Sequence, residues 1–141
     1  MNVGVVGNPR YRDLAAVLAE LTREAPPRGL TLFGEPRLAP FWAAAVPHLG
    51  TAPLDALLTF GGDGTLLRGA RLLVGAEVPI PGINLGRVGF LTTATREGLP
   101  AALDALVSAD YVTERLQALR GRILAADGTV RSTHHALNDV A

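Results

Sequence analysis

Residues 56–65 have the sequence ALLTFGGDGT, an apolar run that ends in a glycine-rich turn. The apolar residues of 56–60 predict a buried strand, and the leucines after the turn predict a helix over 66–74. Strands that alternate with helices indicate βαβ units and a mainly parallel sheet. Open α/β sheets bind ligands at the carboxyl ends of their strands. The turn at 61–65 is therefore the first candidate for a functional site.

The same alternation continues on both sides of this turn. Further strands are predicted at 2–6, 30–33 and 80–84, and further helices at 12–24, 40–46 and 96–108. The residues expected to face inward are Leu14, Val17, Leu18, Leu21, Leu99, Leu103, Leu106 and Val107. After residue 110 the pattern changes to two strands, 111–125 and 129–136, joined by an Asp-Gly hairpin turn.

The predicted fold class is thus α/β. Residues 1–109 are expected to form a Rossmann-like, mostly parallel sheet with flanking helices, which binds nucleotides and carries the glycine-rich turn. Residues 110–141 are expected to be the first strands of a β-rich second domain.

The composition excludes several classes of protein. With 141 residues, 48% of them hydrophobic and 18% charged, the chain is typical of a globular domain. Its 13 basic and 13 acidic side chains cancel, which argues against a nucleic-acid-binding surface. Without cysteine it has no disulfide or cysteine zinc site, and without lysine it has no P-loop. No apolar stretch is long enough to span a membrane and no basic leader is present, so a cytoplasmic location is expected.

The turn at 61–65 has the features of an anion site. Its glycines let a ligand approach the backbone, and the first amides of the next helix have no partner within that helix. Phosphate suits such a helix N-terminus. A carboxylate would repel phosphate, so Asp63 makes sense if it binds a bridging metal or takes a proton from an attacking hydroxyl. The alternative is an ordinary tight turn in which Asp63 caps the helix.

Three segments together resemble one family of enzymes. The turn at 61–65 resembles the signature shared by NAD kinases, by diacylglycerol and sphingoid lipid kinases and, more loosely, by phosphofructokinases. Residues 81–91, PGINLGRVGFL, are similar to the NAD kinase pattern that closes in Gly-Phe, and 136–140, ALNDV, are similar to its Asn-Glu/Asp motif. In this order, the motifs indicate a resemblance to the N-terminal portion of the NAD kinase family, whose β-rich second half is expected to be largely missing here.

The resemblance implies phosphoryl transfer from ATP or polyphosphate to the 2′-hydroxyl of the adenosine ribose of NAD, which gives NADP. It implies that Asp63 is the catalytic group, as the general base or by orienting that hydroxyl. Gly62 and Gly64 would let the ribose and the phosphates lie against the backbone. Phe90 would contact the adenine, although a phenylalanine judged alone is more often a core residue.

Asn138 and Asp139 match the third motif. The resemblance implies that Asn138 reads the adenine edge and that Asp139 accepts hydrogen bonds from the ribose hydroxyls. Taken alone, Asn-Asp is a common turn dipeptide. Arg87, Arg68 and Arg71 are candidates for binding phosphate, because the chain has no lysine.

The resemblance also implies the remaining ligands and partners. Mg²⁺ or another divalent cation is expected with the ATP or polyphosphate, without an assignable protein ligand. A homodimer or homotetramer is expected by analogy, and neither nucleic acid nor membrane is expected as a partner. Two alternatives stay open: a lipid kinase that shares the turn, and a non-catalytic nucleotide-binding module or inactive fragment.

Overall fold

The protein is described here by a computed structural model that covers residues 1–87 and 89–136. Five strands form one parallel sheet: β1 (Asn2–Gly7), β2 (Thr31–Gly34), β3 (Ala56–Gly61), β4 (Gly82–Asn84) and β5 (Ala94–Thr95). Their spatial order is β2-β1-β3-β4-β5. The predicted α/β class with a mostly parallel sheet is therefore confirmed.

Within the described residues, three α-helices accompany the sheet: α1 (Leu14–Glu24), α2 (Asp63–Leu72) and α3 (Leu99–Ser108). Apolar residues spaced three and four apart give α1 and α3 one buried face each. All the residues predicted to face inward are buried except Val107, which lies in the last turn of α3 and is 48% exposed. Among the described residues, no helix has the length and apolar character needed to cross a membrane.

The two central strands, β1 and β3, are apolar on both faces, as expected when a parallel sheet is covered on both sides. Their fully buried side chains include Val3, Val5, Val6, Leu57, Leu58 and Phe60. α2 packs against β3 at Gly69, where a β-carbon would lie only 2.9 Å from Cγ2 of Thr59. This close approach sets α2 directly on the strand that precedes it, which fixes the turn between them.

The predicted helix at 40–46 is wrong. The chain instead forms a 3-10 turn at Pro36–Phe41 and is extended at Trp42. The end of such a helix is disfavoured, because Val46 precedes Pro47 and a residue before proline avoids the helical conformation. The indole of Trp42 packs over Gly34 at the end of β2, 2.7 Å from where a β-carbon would stand. That packing outweighs the weak tendency of so short a segment to form a helix.

α2 begins three residues earlier than predicted, at Asp63. Glycines weaken a helix, which is why the sequence favours a later start. In the structure, however, the amides of Thr65 and Leu66 already donate to the carbonyl of Gly62, at 2.8 and 3.3 Å. Asp63 therefore belongs to the first helical turn, where the helix dipole favours a negative charge.

The second sheet is an antiparallel hairpin of β6 (Leu119–Leu124) and β7 (Val130–Ala136). The hairpin was predicted, but its first strand is much shorter than 111–125, since residues 111–118 form no regular structure. Within the described residues the pairing runs from Leu119 with Ala136 to Leu124 with Val130. The division into domains at 1–109 and 110–141 stays a prediction.

Candidate active site

A cleft of about 330 Å³ opens at the carboxyl ends of β1 and β3. The chain passes from β1 to β2 on one side of the cleft, and from β3 to β4 on the other side. A parallel sheet has a crevice between two neighbouring strands whose connections leave in opposite directions. The volume is within the range of small-ligand sites. The cleft is lined by Asn8, Arg10, Tyr11, Arg37, Gly62, Gly64, Thr65 and Arg68.

One wall of the cleft is the glycine-rich turn and the start of α2. Gly62 and Gly64 have no side chains, so their backbone is open to a ligand. The amides of Asp63 and Gly64 have no acceptor within α2, whereas those of Thr65 and Leu66 donate to the carbonyl of Gly62. The positive end of the helix dipole lies behind them. This wall is suited to an anion such as phosphate, as the sequence predicts.

Arg68 links this wall to the ends of two strands. Its Nη2 donates to the carbonyl of Gly7 at 2.8 Å and to Oε1 of Glu35 at 2.9 Å, and its Nη1 donates to Oε2 of Glu35. Glu35 is buried, and its Oε1 also accepts from the amide of Gly7 at 3.0 Å. These bonds fix the guanidinium and offset its charge. A guanidinium has five N–H donors, so Nε and one hydrogen of Nη1 remain available to a ligand.

Two more arginines line the cleft. Arg10 follows β1 in a tight turn, where its amide donates to Oδ1 of Asn8 at 3.1 Å. Arg37 lies in the 3-10 turn after β2. Both are exposed, and neither pairs with a carboxylate within residues 1–87 and 89–136. The cleft therefore keeps a positive charge after Glu35 has offset that of Arg68.

Asp63 is bound by the loop at 89–91 and does not line the cleft. Its Oδ2 accepts from the amide of Phe90 at 2.9 Å, and its Oδ1 accepts from the amide of Leu91 at 3.0 Å. Gly89 makes this approach possible, because a β-carbon there would overlap Oδ1 and lie 2.6 Å from Cγ. The carboxylate is thus held by the backbone of this loop and not by the residues that line the cleft.

The amides of Phe90 and Leu91 hold the pKa of the Asp63 carboxyl below its ordinary value of 3.8. Hydrogen bonds to the charged form outweigh the partial burial, which acts in the opposite direction. Asp63 is therefore ionised at neutral pH. Each oxygen keeps a second lone pair, so the carboxylate can still accept a hydrogen bond from a ligand hydroxyl.

The loop that holds Asp63 is itself shaped by the buried side chain of Asn84. Its Nδ2 donates to the carbonyl of Arg87 at 2.7 Å and to Oγ1 of Thr92 at 3.2 Å, and its Oδ1 accepts from the amide of Gly86 at 2.8 Å. The side chain of Arg87 is exposed and does not line the cleft, so its proposed contact with phosphate stays a prediction.

Tyr11 is a site residue that the sequence analysis missed. A β-carbon at Gly86 would lie 2.8 Å from Cε1 of Tyr11, and one at Gly62 would lie 3.3 Å from its hydroxyl. The ring therefore lies between the two glycine turns and lines the cleft. The available signal was the break after the first strand, since the carboxyl ends of parallel strands meet at one edge of the sheet.

The other predicted binding residues fall into four groups. Gly62 and Gly64 line the cleft. Phe90 has a fully exposed side chain, so the alternative that it is a core residue is wrong. Asn138 and Asp139 lie outside the described residues. Arg71, the other helical arginine, is exposed and does not line the cleft.

Residues 1–87 and 89–136 contain no cluster of side chains that would hold a divalent cation without help from a ligand. They contain no group of three or more histidine, aspartate or glutamate side chains that could hold one. Asp63 is engaged by two amides, and Glu35 is buried against Arg68.

Comparison with known proteins identifies the family. The chain matches the family model for the ATP-NAD kinase N-terminal domain over residues 12–111. The chain belongs to the NAD kinase family. The NAD kinase of Gemmatimonas aurantiaca is 41% identical over 140 residues, which cover 99% of this chain and 48% of that protein. The NAD kinase of Heliobacterium modesticaldum is 37% identical over 144 residues, which cover 98% and 50%.

The chain spans about half the length of the curated NAD kinases it matches. Two solved structures share its fold. Yeast NADH kinase complexed with NADH matches with a TM-score of 0.80 at 21% identity, over 98% of this chain and 44% of that one. An NAD kinase from Archaeoglobus fulgidus in complex with ATP matches with a TM-score of 0.53 at 22% identity, over 86% and 41%.

Proposed function

We propose that this chain is the N-terminal part of an NAD kinase, which transfers a phosphoryl group from ATP or polyphosphate to the 2′-hydroxyl of the adenosine ribose of NAD and so gives NADP. Membership of the family supports the reaction class. The observation that carries the proposal is the position of Asp63. It is an ionised carboxylate at the start of α2, held by the amides of Phe90 and Leu91 beside a cationic cleft.

In this reaction Asp63 orients the ribose hydroxyl and accepts its proton late. Phosphoryl transfer passes through a loose transition state, so the attacking oxygen loses its proton only as its bond to phosphorus forms. A carboxylate with a lowered pKa is a weak base but a constant hydrogen-bond acceptor, which suits that sequence of events. Gly62 and Gly64 would let the reacting phosphoryl group approach the backbone amides, which favour negative charge.

The ring of Phe90 is proposed to contact the adenine of NAD. It is fully exposed, and its amide holds Asp63, so a base against the ring would lie close to the carboxylate. A flat base and an aromatic face attract each other. Arg87 is proposed to contact a phosphate of NAD, Asn138 the adenine edge and Asp139 the ribose hydroxyls.

The remaining proposals concern ligands and state. The donor is ATP or polyphosphate, with Mg²⁺ or another divalent cation bound to its phosphates. A homo-oligomer and a cytoplasmic location are proposed by analogy with the family.

The test is NADP formation by the full-length protein with NAD, Mg²⁺ and either ATP or polyphosphate. Asp63→Asn is expected to lower kcat by about 10²–10⁴-fold, the usual contribution of such a group, while NAD still binds. Asp127→Asn is the matched control. Asp127 also accepts a hydrogen bond from a backbone amide, that of Thr129 at 3.0 Å, but it lies in the exposed hairpin turn. It is expected to leave turnover unchanged.

Three outcomes would contradict the proposal. Phosphorylation of diacylglycerol or a sphingoid base without phosphorylation of NAD would favour the lipid kinase. Binding of NAD without any turnover would favour a non-catalytic module. Full activity of Asp63→Asn would remove Asp63 from the reaction.

A further inference from the structure

The three arginines that line the cleft are not equivalent. Arg68 is fixed by Glu35 and the carbonyl of Gly7, so its charge is offset and only two of its N–H donors remain available. Arg10 and Arg37 have no carboxylate partner in the part of the chain that the structure describes. Two arginines without a carboxylate partner, next to the backbone amides of the turn, are suited to binding an extended anion.

We propose that Arg10 and Arg37 bind the distal part of the donor's phosphate chain and thereby set the donor's affinity. The inference rests on the proposed function and deepens it, because it names residues that select for a linear oligophosphate. In this arrangement the phosphate closest to the turn contacts Gly62 and Gly64, and the next one contacts the available donors of Arg68. The distal phosphates contact Arg10 and Arg37.

The geometry favours a chain over a single phosphate. The cationic groups come from three separate segments: the turn after β1, the 3-10 turn after β2, and α2. Side chains from three segments, together with the amides of the turn, can contact successive phosphates of one chain. Arginine suits each link, because its planar fork binds phosphate with two hydrogen bonds.

The positions of Arg10 and Arg37 are set by local structure rather than by chance. Asn8 fixes the turn that presents Arg10 through its bond to the Arg10 amide, at 3.1 Å. The buried Glu35 directly precedes the turn that carries Arg37, and the amide of Leu38 donates to its carbonyl at 3.0 Å. The backbone that carries each of these two arginines is therefore held in place at the end of a strand.

The first test measures binding of inorganic tripolyphosphate, pyrophosphate and orthophosphate to the full-length protein by calorimetry at low salt. The double variant R10Q/R37Q is expected to bind tripolyphosphate about tenfold more weakly, the order expected for losing charged hydrogen bonds at an exposed site. Its affinity for orthophosphate is expected to change much less. Arg12→Gln is the matched control, since Arg12 is an exposed arginine of the same loop that does not line the cleft.

The second test separates donor from acceptor in the kinase assay. R10Q/R37Q is expected to raise KM for ATP by about tenfold while KM for NAD stays the same. A raised KM for NAD, an equal loss of affinity for orthophosphate, or unchanged tripolyphosphate binding would each overturn the inference. If the native protein makes no NADP but its tripolyphosphate binding depends on Arg10 and Arg37, the proposed function fails and the phosphate-chain site stands.

Discussion

The two sides of the GGDGT turn have opposite electrostatics. On one side, Gly62 and Gly64 face a cleft lined by three arginines, which suits an anion. On the other, the Asp63 carboxylate is itself the anion, and the amides of Phe90 and Leu91 hold it. A carboxylate beside phosphates would ordinarily repel them. In this fold the backbone of the turn lines the cationic cleft while its carboxylate is held by the amides of another loop, which is the arrangement that the proposed reaction needs.

The strongest way to disturb this separation, short of removing Asp63, is to fill the space at Gly89. Gly89→Ala would drive a β-carbon into Oδ1 of Asp63, so the loop or the carboxylate must shift. Misplacing a catalytic group by about 1 Å can cost about 10²-fold, and we expect kcat for NADP formation to fall by that order.

The matched control is Gly98→Ala, where a β-carbon would meet only Cβ of Ala94 at an ordinary 3.6 Å. Activity of Gly98→Ala should stay near that of the native protein. If Gly89→Ala were equally active, the bond between Asp63 and the loop would have no part in the reaction.

The cleft side is tested by Glu35→Gln, which keeps the shape of the side chain but removes its charge. Arg68 would then lose its ion pair at a buried site, and we expect the free energy of unfolding in urea to fall by about 1–3 kcal/mol, because Arg68 is partly exposed. Tripolyphosphate binding should strengthen, since the cleft gains one unopposed positive charge.

Glu24→Gln provides the comparison, because Glu24 pairs with Arg28 at the surface of α1. We expect a much smaller change in stability there. Equal effects of the two substitutions, or weaker binding of tripolyphosphate by Glu35→Gln, would contradict the described role of Glu35.

The smallest expected effect is the dependence of the Asp63 hydrogen bonds on pH. Because the folded state lowers the pKa of Asp63 below the ordinary 3.8, the contribution of its hydrogen bonds to stability is complete above that value. It is lost as the pH falls through the lowered pKa. The amide proton shifts of Phe90 and Leu91 should therefore titrate with a midpoint below 3.8, and this step should disappear in Asp63→Asn. A midpoint above 3.8 would mean that the amides do not hold the charged form.

Much of this arrangement could be predicted from local sequence. The apolar runs of β1 and β3 and the buried faces of α1 and α3 follow from periodicity alone, and the glycines of 61–65 located one wall of the cleft. The failures arose where tertiary contacts decide. Trp42 packs on Gly34 instead of continuing a helix, and residues 111–118 form no regular structure.

The composition of the cleft was less accessible from the sequence. Glu35 and Arg37 follow β2 without any motif, and only the strand order brings them beside the GGDGT turn, so no local pattern could have found them. The direction of the Asp63 side chain was equally hidden. The sequence gives its position at a helix start, but its partners are 27 and 28 residues away along the chain.

The most direct test of the two-sided turn is an amide NMR titration of the full-length protein with tripolyphosphate at neutral pH. The account predicts that the amide signals of Gly62 and Gly64 move as the ligand is added, while those of Phe90 and Leu91 stay in place because Asp63 still occupies them. If instead the amide signals of Phe90 and Leu91 move while those of Gly62 and Gly64 stay in place, phosphate displaces Asp63 from the loop. That result would contradict the proposed arrangement of the turn.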